Sequence, residues 1–211
     1  YAEVVFEQGG TPAIVAGTIQ DITDQKQAEA QIHFLSNYDR LTQLPNRQLF
    51  QDRVSQALAV QKRHDTQGAV LLINLDRFQR INDTLGPKVG DRILKETAER
   101  LLQCVRQSDT VSRLDEQEPT TLARLGGDEF VVLLTHLATA QNATRAAHRI
   151  LDALDHPYEI DGRPVVVTAS IGIALLGQDG TDVDTLLRNA DAATHAAQDK
   201  GRNTYQFYSQ S

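Results

Sequence analysis

The rhythm of apolar and polar residues changes repeatedly along this 211-residue chain, and each change predicts an element. Residues 46–63 place Leu49, Phe50, Val54, Ala57 and Leu58 on one side of an amphipathic helix. The run Ala69-Val-Leu-Leu-Ile-Asn-Leu75 is continuously apolar rather than alternating, the pattern of a strand buried on both faces. A second helix is predicted from Lys88 to Arg106. A hairpin follows, Thr121 to Leu125 against Glu129 to Thr135, joined by Gly126-Gly127, whose missing Cβ atoms permit the positive φ of a tight turn. A helix over 138–154, a strand over 164–175, a helix over 182–198 and a short strand over 204–208 complete the set. The order β-α-β-β-α-β, with extra helices, predicts an α+β fold: a ferredoxin-like antiparallel sheet with flanking helices.

The chain's beginning reads differently. Glu3-Val-Val-Phe6 and Ala13 to Asp21 are β-prone runs on either side of Gly9-Gly10, which predicts a hairpin. Two strands cannot bury a core alone, so the hairpin is expected to be the end of a domain of a longer protein. Gly17-Thr-Ile-Gln-Asp-Ile-Thr-Asp24 resembles the last strand and exit of a PAS sensory domain; a generic hairpin is the alternative. Residues 23–37 predict a helix with Thr23 or Asp24 as N-cap. Ala28, Ile32 and Leu35 give it a narrow apolar stripe, suited to a two-helix coiled coil though too short to be stable alone. The expected organisation is therefore a sensory-domain hairpin at 1–22, a signalling linker helix at 23–37 that pairs two chains, and one domain at 38–211.

Composition narrows the class. A hydrophobic fraction of 40% with 23% charged residues suits an ordinary globular protein. No apolar run approaches the ~20 residues that span a bilayer, and Tyr1 to Phe6 lack the basic start and apolar block of a cleavable signal. Cys104 is the single cysteine and has no internal disulfide partner, which fits a reducing compartment. A cytoplasmic location is expected, whether or not a parent protein is anchored to a membrane. The net charge of −7 argues against nucleic acid as a partner, since that needs clustered Lys and Arg. The six histidines show no pair at metal-ligand spacing on one helix face.

The most informative stretch is Ala123-Arg-Leu-Gly-Gly-Asp-Glu-Phe-Val-Val-Leu-Leu134, which puts two carboxylates on a glycine turn that a phosphate can approach closely. Its companions are Asp39-Arg-Leu-Thr-Gln-Leu-Pro-Asn-Arg47, Phe78 with Ile81-Asn-Asp-Thr-Leu-Gly86, Gly90-Asp91 and Gly201-Arg-Asn203. Together, over residues 38–208, they resemble the GGDEF domain of diguanylate cyclases, a family with the fold of nucleotidyl cyclases. The resemblance implies that two GTP molecules, one on each of two facing domains, are joined into cyclic di-GMP with Mg2+ (or Mn2+) on the triphosphate. It implies a metal site at Asp128, Asn74 and the backbone of Leu75, and a catalytic role for Asp128 and Glu129. It also implies guanine recognition by Asn82 and Asp91, terminal-phosphate binding by Arg202, and close backbone approach at Arg77, Phe78, Gly126 and Gly127.

Several positions depart from the family pattern. Its Asp-x-Asp reads Asn74-Leu-Asp76 here, so an amide replaces the metal-binding acid; Asp76, two residues on, is the residue that could compensate. Two phosphate-side lysines are Gln79 and Gln198. Lys200 lies two positions beyond Gln198, a shift of ~200° around a helix, which argues against an easy rescue. The family histidine after Leu85-Gly86 is Pro87, read as a structural change. The family's inhibitory product site, Arg-x-x-Asp ending five residues before the glycines, would fall on Gln117 and Thr120 and is absent there. Arg106-Gln-Ser-Asp109 matches instead, and Thr110-Val-Ser-Arg-Leu114 resembles Thr121-Leu-Ala-Arg-Leu125, as after an insertion of about 11 residues, Asp115 to Leu125 or an equivalent window. Product binding at Arg106 and Asp109 and a solvated acidic loop both stay open.

Two functions are therefore expected to compete. One is a dimeric diguanylate cyclase driven by an upstream sensor, with Asn74, Gln79 and Gln198 weakening it. The other is an inactive GTP-binding module that regulates an EAL phosphodiesterase domain in cis, since Tyr205-Gln-Phe-Tyr-Ser209 resembles the exit toward such a domain.

Overall fold

The computed structural model describes residues 2–6, 12–17, 21–64, 66–109 and 121–209. The chain divides into two compact units, 1–35 and 36–211. In the first, β1 (Ala2–Phe6) pairs antiparallel with β2 (Pro12–Gly17), with Val4 opposite Val15; the expected Gly9-Gly10 turn lies outside the described residues. Helix α1 covers Thr23–Asn37. Its start is satisfied from two residues before the expected Thr23, because the Asp21 carboxylate, rather than Thr23 or Asp24, accepts the Thr23 N–H at 2.9 Å. Of the expected apolar stripe, Leu35 is 39% exposed, and the side chains of Ala28 and Ile32 lie outside what is described.

The second unit carries α2 (Arg47–His64), β3 (Gln67–Leu75), α3 (Phe78–Leu85), α4 (Pro87–Asp109), β4 (Thr121–Gly126) and β5 (Glu129–Leu137). Then come α5 (Ala140–Leu154), β6 (Tyr158–Ile160), β7 (Arg163–Val165), β8 (Ala169–Leu175), α6 (Val183–Asp199) and β9 (Thr204–Phe207). The sheet runs β4-β5-β3-β8-β9, antiparallel except for the parallel edge pair β8/β9. Without β9 this is the expected ferredoxin-like order, with β3 at the centre. Successive side chains of a strand point to opposite faces. On β3, Leu71, Ile73 and Leu75 face Ile93 and Leu101 of α4 and Ile150 and Leu154 of α5. Val70 and Leu72 face Phe50 and Val54 of α2 and Leu186 and Ala190 of α6. Helices on both sides explain why β3 holds no polar side chain between Gln67 and Asn74.

Two parts differ from the sequence reading. Helix α3 was not predicted; at eight residues it is too short for a 3.6-residue period to register. The strand expected over 164–175 is two elements. A small hairpin, β6/β7, turns at Asp161-Gly162 with φ of 52° and 74°, the positive pair that a two-residue hairpin needs, and β8 begins only at Ala169. Val166, between them, is 63% exposed. Pro87 opens α4 at its first position, where its missing N–H is harmless, and the helix runs three residues past the expected Arg106.

Helix α6 packs onto β8 at Gly172. A Cβ there would overlap the Ala190 carbonyl and lie 2.4 Å from the Thr194 amide, whose hydroxyl donates to Leu72 O at 3.3 Å or Ala190 O at 2.9 Å. No flexible side-chain end is available to yield, so Gly172→Ala is expected to destabilise the domain by about 1–3 kcal/mol or more. Urea unfolding followed by circular dichroism checks this; an unchanged midpoint would contradict the packing.

Candidate functional site

The site gathers where β3 emerges from the sheet. Its nearest neighbour is the β4/β5 turn, Gly127-Asp128, with Gly126 paired to Glu129. Gly126 at φ 139° and Gly127 at φ 50° hold conformations that side chains disfavour. The turn lies beside β3: the Leu75 N–H donates to the Asp128 carbonyl at 3.3 Å, and Asn74 stands opposite Glu129. Asp128 and Glu129 are half-buried, and burial raises the pKa of both. Arg124 opposes the rise at Asp128. Arg47, whose guanidinium is 3.8 Å from the Glu129 carboxylate, opposes it at Glu129, while Asp191 and Asp128 add to it.

The turn is held from behind by a residue to which the sequence reading gave no role. Arg124 donates to the Gly127 carbonyl from Nε at 3.1 Å and Nη2 at 2.6 Å, and from Nη1 to the Asp39 carboxylate at 2.9 Å. Asp39 also accepts from the Thr42 amide and hydroxyl. Burial works against its charge, but the Thr42 and Arg124 hydrogen bonds outweigh burial and lower its pKa. The available signal was an arginine two residues before the glycines together with an acid at the head of the upstream motif.

On the other side of β3, the Gln198 amide donates to the Asn74 side-chain oxygen at 2.9 Å. The substituted acid position and the substituted lysine position thus bind each other. Asp76 does not substitute for Asn74. It is 6% exposed, and its carboxylate accepts from Ser170 at 2.7 Å, Thr168 at 2.7 Å and the Asn203 amide at 3.1 Å. These bonds fix the turn Gly201-Arg202-Asn203, whose φ values of 118°, 67° and 45° are all positive, and so place Arg202 at the end of α6. Lys200 turns away, donating to Gln206 at 2.7 Å.

A third group lies on α3 and α4. Asn82 packs against Gly90, so closely that a Cβ there would overlap its side-chain oxygen, and that oxygen is buried with no hydrogen-bond partner. Asp91 is the next residue along and is exposed. Phe78 is buried beneath them, and α3 starts from Arg77 at φ 57° with no side chain capping its N-terminus. An orphaned acceptor and uncapped amides are features that a ligand's donors and a phosphate can satisfy. Gln79 is exposed. The side chains of Arg106 and Asp109 and the whole of residues 110–120, including most of the expected insertion, lie outside the described residues.

Among the described residues no three acidic, histidine or cysteine side chains cluster as a metal site. The donors by the turn are the Asp128 carboxylate, the Arg47-paired Glu129 and the Asn74 oxygen already used by Gln198. Such a set fits Mg2+ or Mn2+ as an ion that keeps waters and nucleotide phosphates as most of its ligands, for which one or two protein carboxylates suffice. No helix among the described residues is long and apolar enough to cross a membrane.

Residues 36–120 and 117–204 match the family described as "Diguanylate cyclase, GGDEF domain". The bifunctional diguanylate cyclase/cyclic di-GMP phosphodiesterase MucR of Pseudomonas aeruginosa is 41% identical over 90% of this chain, a stretch that makes up 26% of MucR. The chain spans between about a fifth and two fifths of the length of the curated relatives it matches. The solved GGDEF domain of TpbB (YfiN) from Pseudomonas aeruginosa is 38% identical, with a TM-score of 0.73 over 82% of this chain and 94% of that one. The coiled coil and GGDEF domain of DgcB from Caulobacter crescentus, solved with c-di-GMP, share the fold at 22% identity, with a TM-score of 0.74 over 88% of this chain and 93% of that one.

The Asp39–Arg124 link carries a pH signature. A carboxylate with a lowered folded pKa stabilises fully above its ordinary value of 3.8, and that contribution is lost as pH falls through the folded value. As pH falls below about 4 the wild type should lose stability more steeply than Asp39→Asn. Denaturant unfolding at stepped pH reads the difference, and parallel curves would contradict the link.

Proposed function

The chain belongs to the diguanylate cyclase GGDEF family, and on that premise we propose that it binds GTP and retains the diguanylate cyclase reaction, two GTP to cyclic di-GMP and two pyrophosphates, at a strongly reduced rate. In that reaction the 3′-hydroxyl of one GTP attacks the α-phosphorus of the other and pyrophosphate leaves, so two domains must face each other. Helix α1 is proposed to help pair the chains. Asn82 and Asp91 take the guanine edge, the uncapped start of α3 lies against phosphate, and Arg202 neutralises the terminal phosphates from the turn that Asp76 fixes. Asp128 is the residue that would hold Mg2+ or Mn2+, which supplies charge neutralisation on the triphosphate when bound. Glu129 beside it is the second acid of the turn, kept in place by Arg47.

The observation that carries the reading is a contrast. The Gly126-to-Glu129 turn keeps its geometry, while Gln198 engages Asn74, so one carboxylate and one ammonium of the family's site are replaced by a neutral hydrogen bond. Losing one preorganised charge typically slows chemistry ~10²–10³-fold. The same bond favours a second reading: a catalytically silent GTP-binding module that controls an adjacent EAL phosphodiesterase domain. The bifunctional name of MucR, of which the matched segment is 26%, supports such an arrangement.

Incubating the protein with Mg2+ and GTP and separating the nucleotides by chromatography decides between them. Slow accumulation of cyclic di-GMP supports the cyclase; GTP affinity without product supports the regulatory module. The triple change Asn74→Asp, Gln79→Lys, Gln198→Lys is expected to raise turnover at least ~10-fold. Flat turnover would mean that these positions do not limit the chemistry.

A further inference from the structure

Asn74 and Gln198 come from separate elements, β3 and α6, and are 124 residues apart, yet the Gln198 Nε2 donates to the Asn74 Oδ1 at 2.9 Å. Both are half-buried, so the bond is partly shielded from water. No rearrangement brings a replacement: the buried Asp76 carboxylate already accepts from Ser170, Thr168 and Asn203, and Lys200 faces Gln206. An amide oxygen that already accepts a hydrogen bond is a poorer ligand for a hard cation, and an amide that donates to it has one fewer N–H for a phosphate.

We propose that Asn74 and Gln198 act as one neutral positioning pair that keeps both side chains off cation and phosphate and leaves Asp128 as the side chain that would hold the ion, so that guanine-nucleotide binding here gains little from divalent cation. Asn74 is then a partner of Gln198 rather than a metal ligand, contrary to the role that the family resemblance implied. The inference rests on the reading of the cleft as a GTP site. It locates the weakened cation site in a contact, and not in the missing charges taken one at a time. Removing Gln198 should therefore free Asn74: the variant with fewer polar groups becomes the more cation-sensitive one.

The test is a double-mutant cycle on the whole chain, with a fluorescent GTP analogue titrated in Mg2+ and in EDTA. The wild type should bind less than ~3-fold tighter in Mg2+, whereas Gln198→Ala should gain about 5-fold or more, a gain absent when Asn74→Ala is added. Melting temperatures of the same four proteins provide a readout that needs no nucleotide, and the two single losses should sum to more than the loss in the double variant. A wild type whose affinity rises ~10-fold or more with Mg2+, a Gln198→Ala gain that survives in the Asn74→Ala background, or purely additive melting losses would each overturn the pair. No analogue binding by any variant, with melting coupling intact, would instead fault the GTP reading and withdraw this proposal with it.

Discussion

A buried carboxylate at the end of the central strand organises everything around it. Asp76 sits where β3 has just left the sheet, and three neutral donors, from Ser170, Thr168 and the Asn203 backbone, surround it. Burying a carboxyl group is expensive unless its oxygens are satisfied, and these donors satisfy both of them. Their convergence ties together the end of β3, the start of β8 and the turn after α6. The positive-φ run Gly201 to Asn203, unfavourable on its own, persists because that turn must present an N–H to Asp76.

Around this knot the sheet delivers the remaining groups by register. Glu129 and Ser170 flank Asn74 on neighbouring strands, so the hairpin acid, the amide and the β8 hydroxyl lie in one row across the sheet. Helix α6 reaches the same row because Gly172 lets it settle onto β8, which is how Gln198 reaches Asn74. The close packing of a glycine deep in the core and the chemistry of the site are thus parts of one geometry.

Much of this was legible in the sequence, and the failures have physical reasons. The long apolar run of β3 and the strongly periodic helices announced themselves because burial on one or both faces imposes a pattern. Helix α3 escapes because two turns are too few for a period; the expected strand over 164–175 joins β7 to β8 and leaves out β6, although Asp161-Gly162 is a recognised hairpin signal. At the site, motif positions named Asn74, Asp128, Glu129 and Arg202, and the fold brings their backbones to one region. What a pattern of residues could not reveal was pairing: that Gln198 would meet Asn74, that Asp76 would be consumed by structure, or that Arg124 would span from Asp39 to Gly127. Each joins residues remote in the chain or assigns a polar group to a partner, and side-chain identity alone does not specify either.

The Arg124 guanidinium ties the loop over residues 39–45 to the acidic bend. It grips Gly127 with two donors and Asp39 with a third, and its own backbone N–H is held by Pro45 at 2.9 Å. At the far end of that loop, Asn46 is tied back to the carbonyls of Ser36 and Asn37, each at 2.8 Å. Residues 36 and 37 are therefore connected to the acidic bend through hydrogen bonds at Asn46, Pro45 and Arg124, with no stretch of unbonded loop between them.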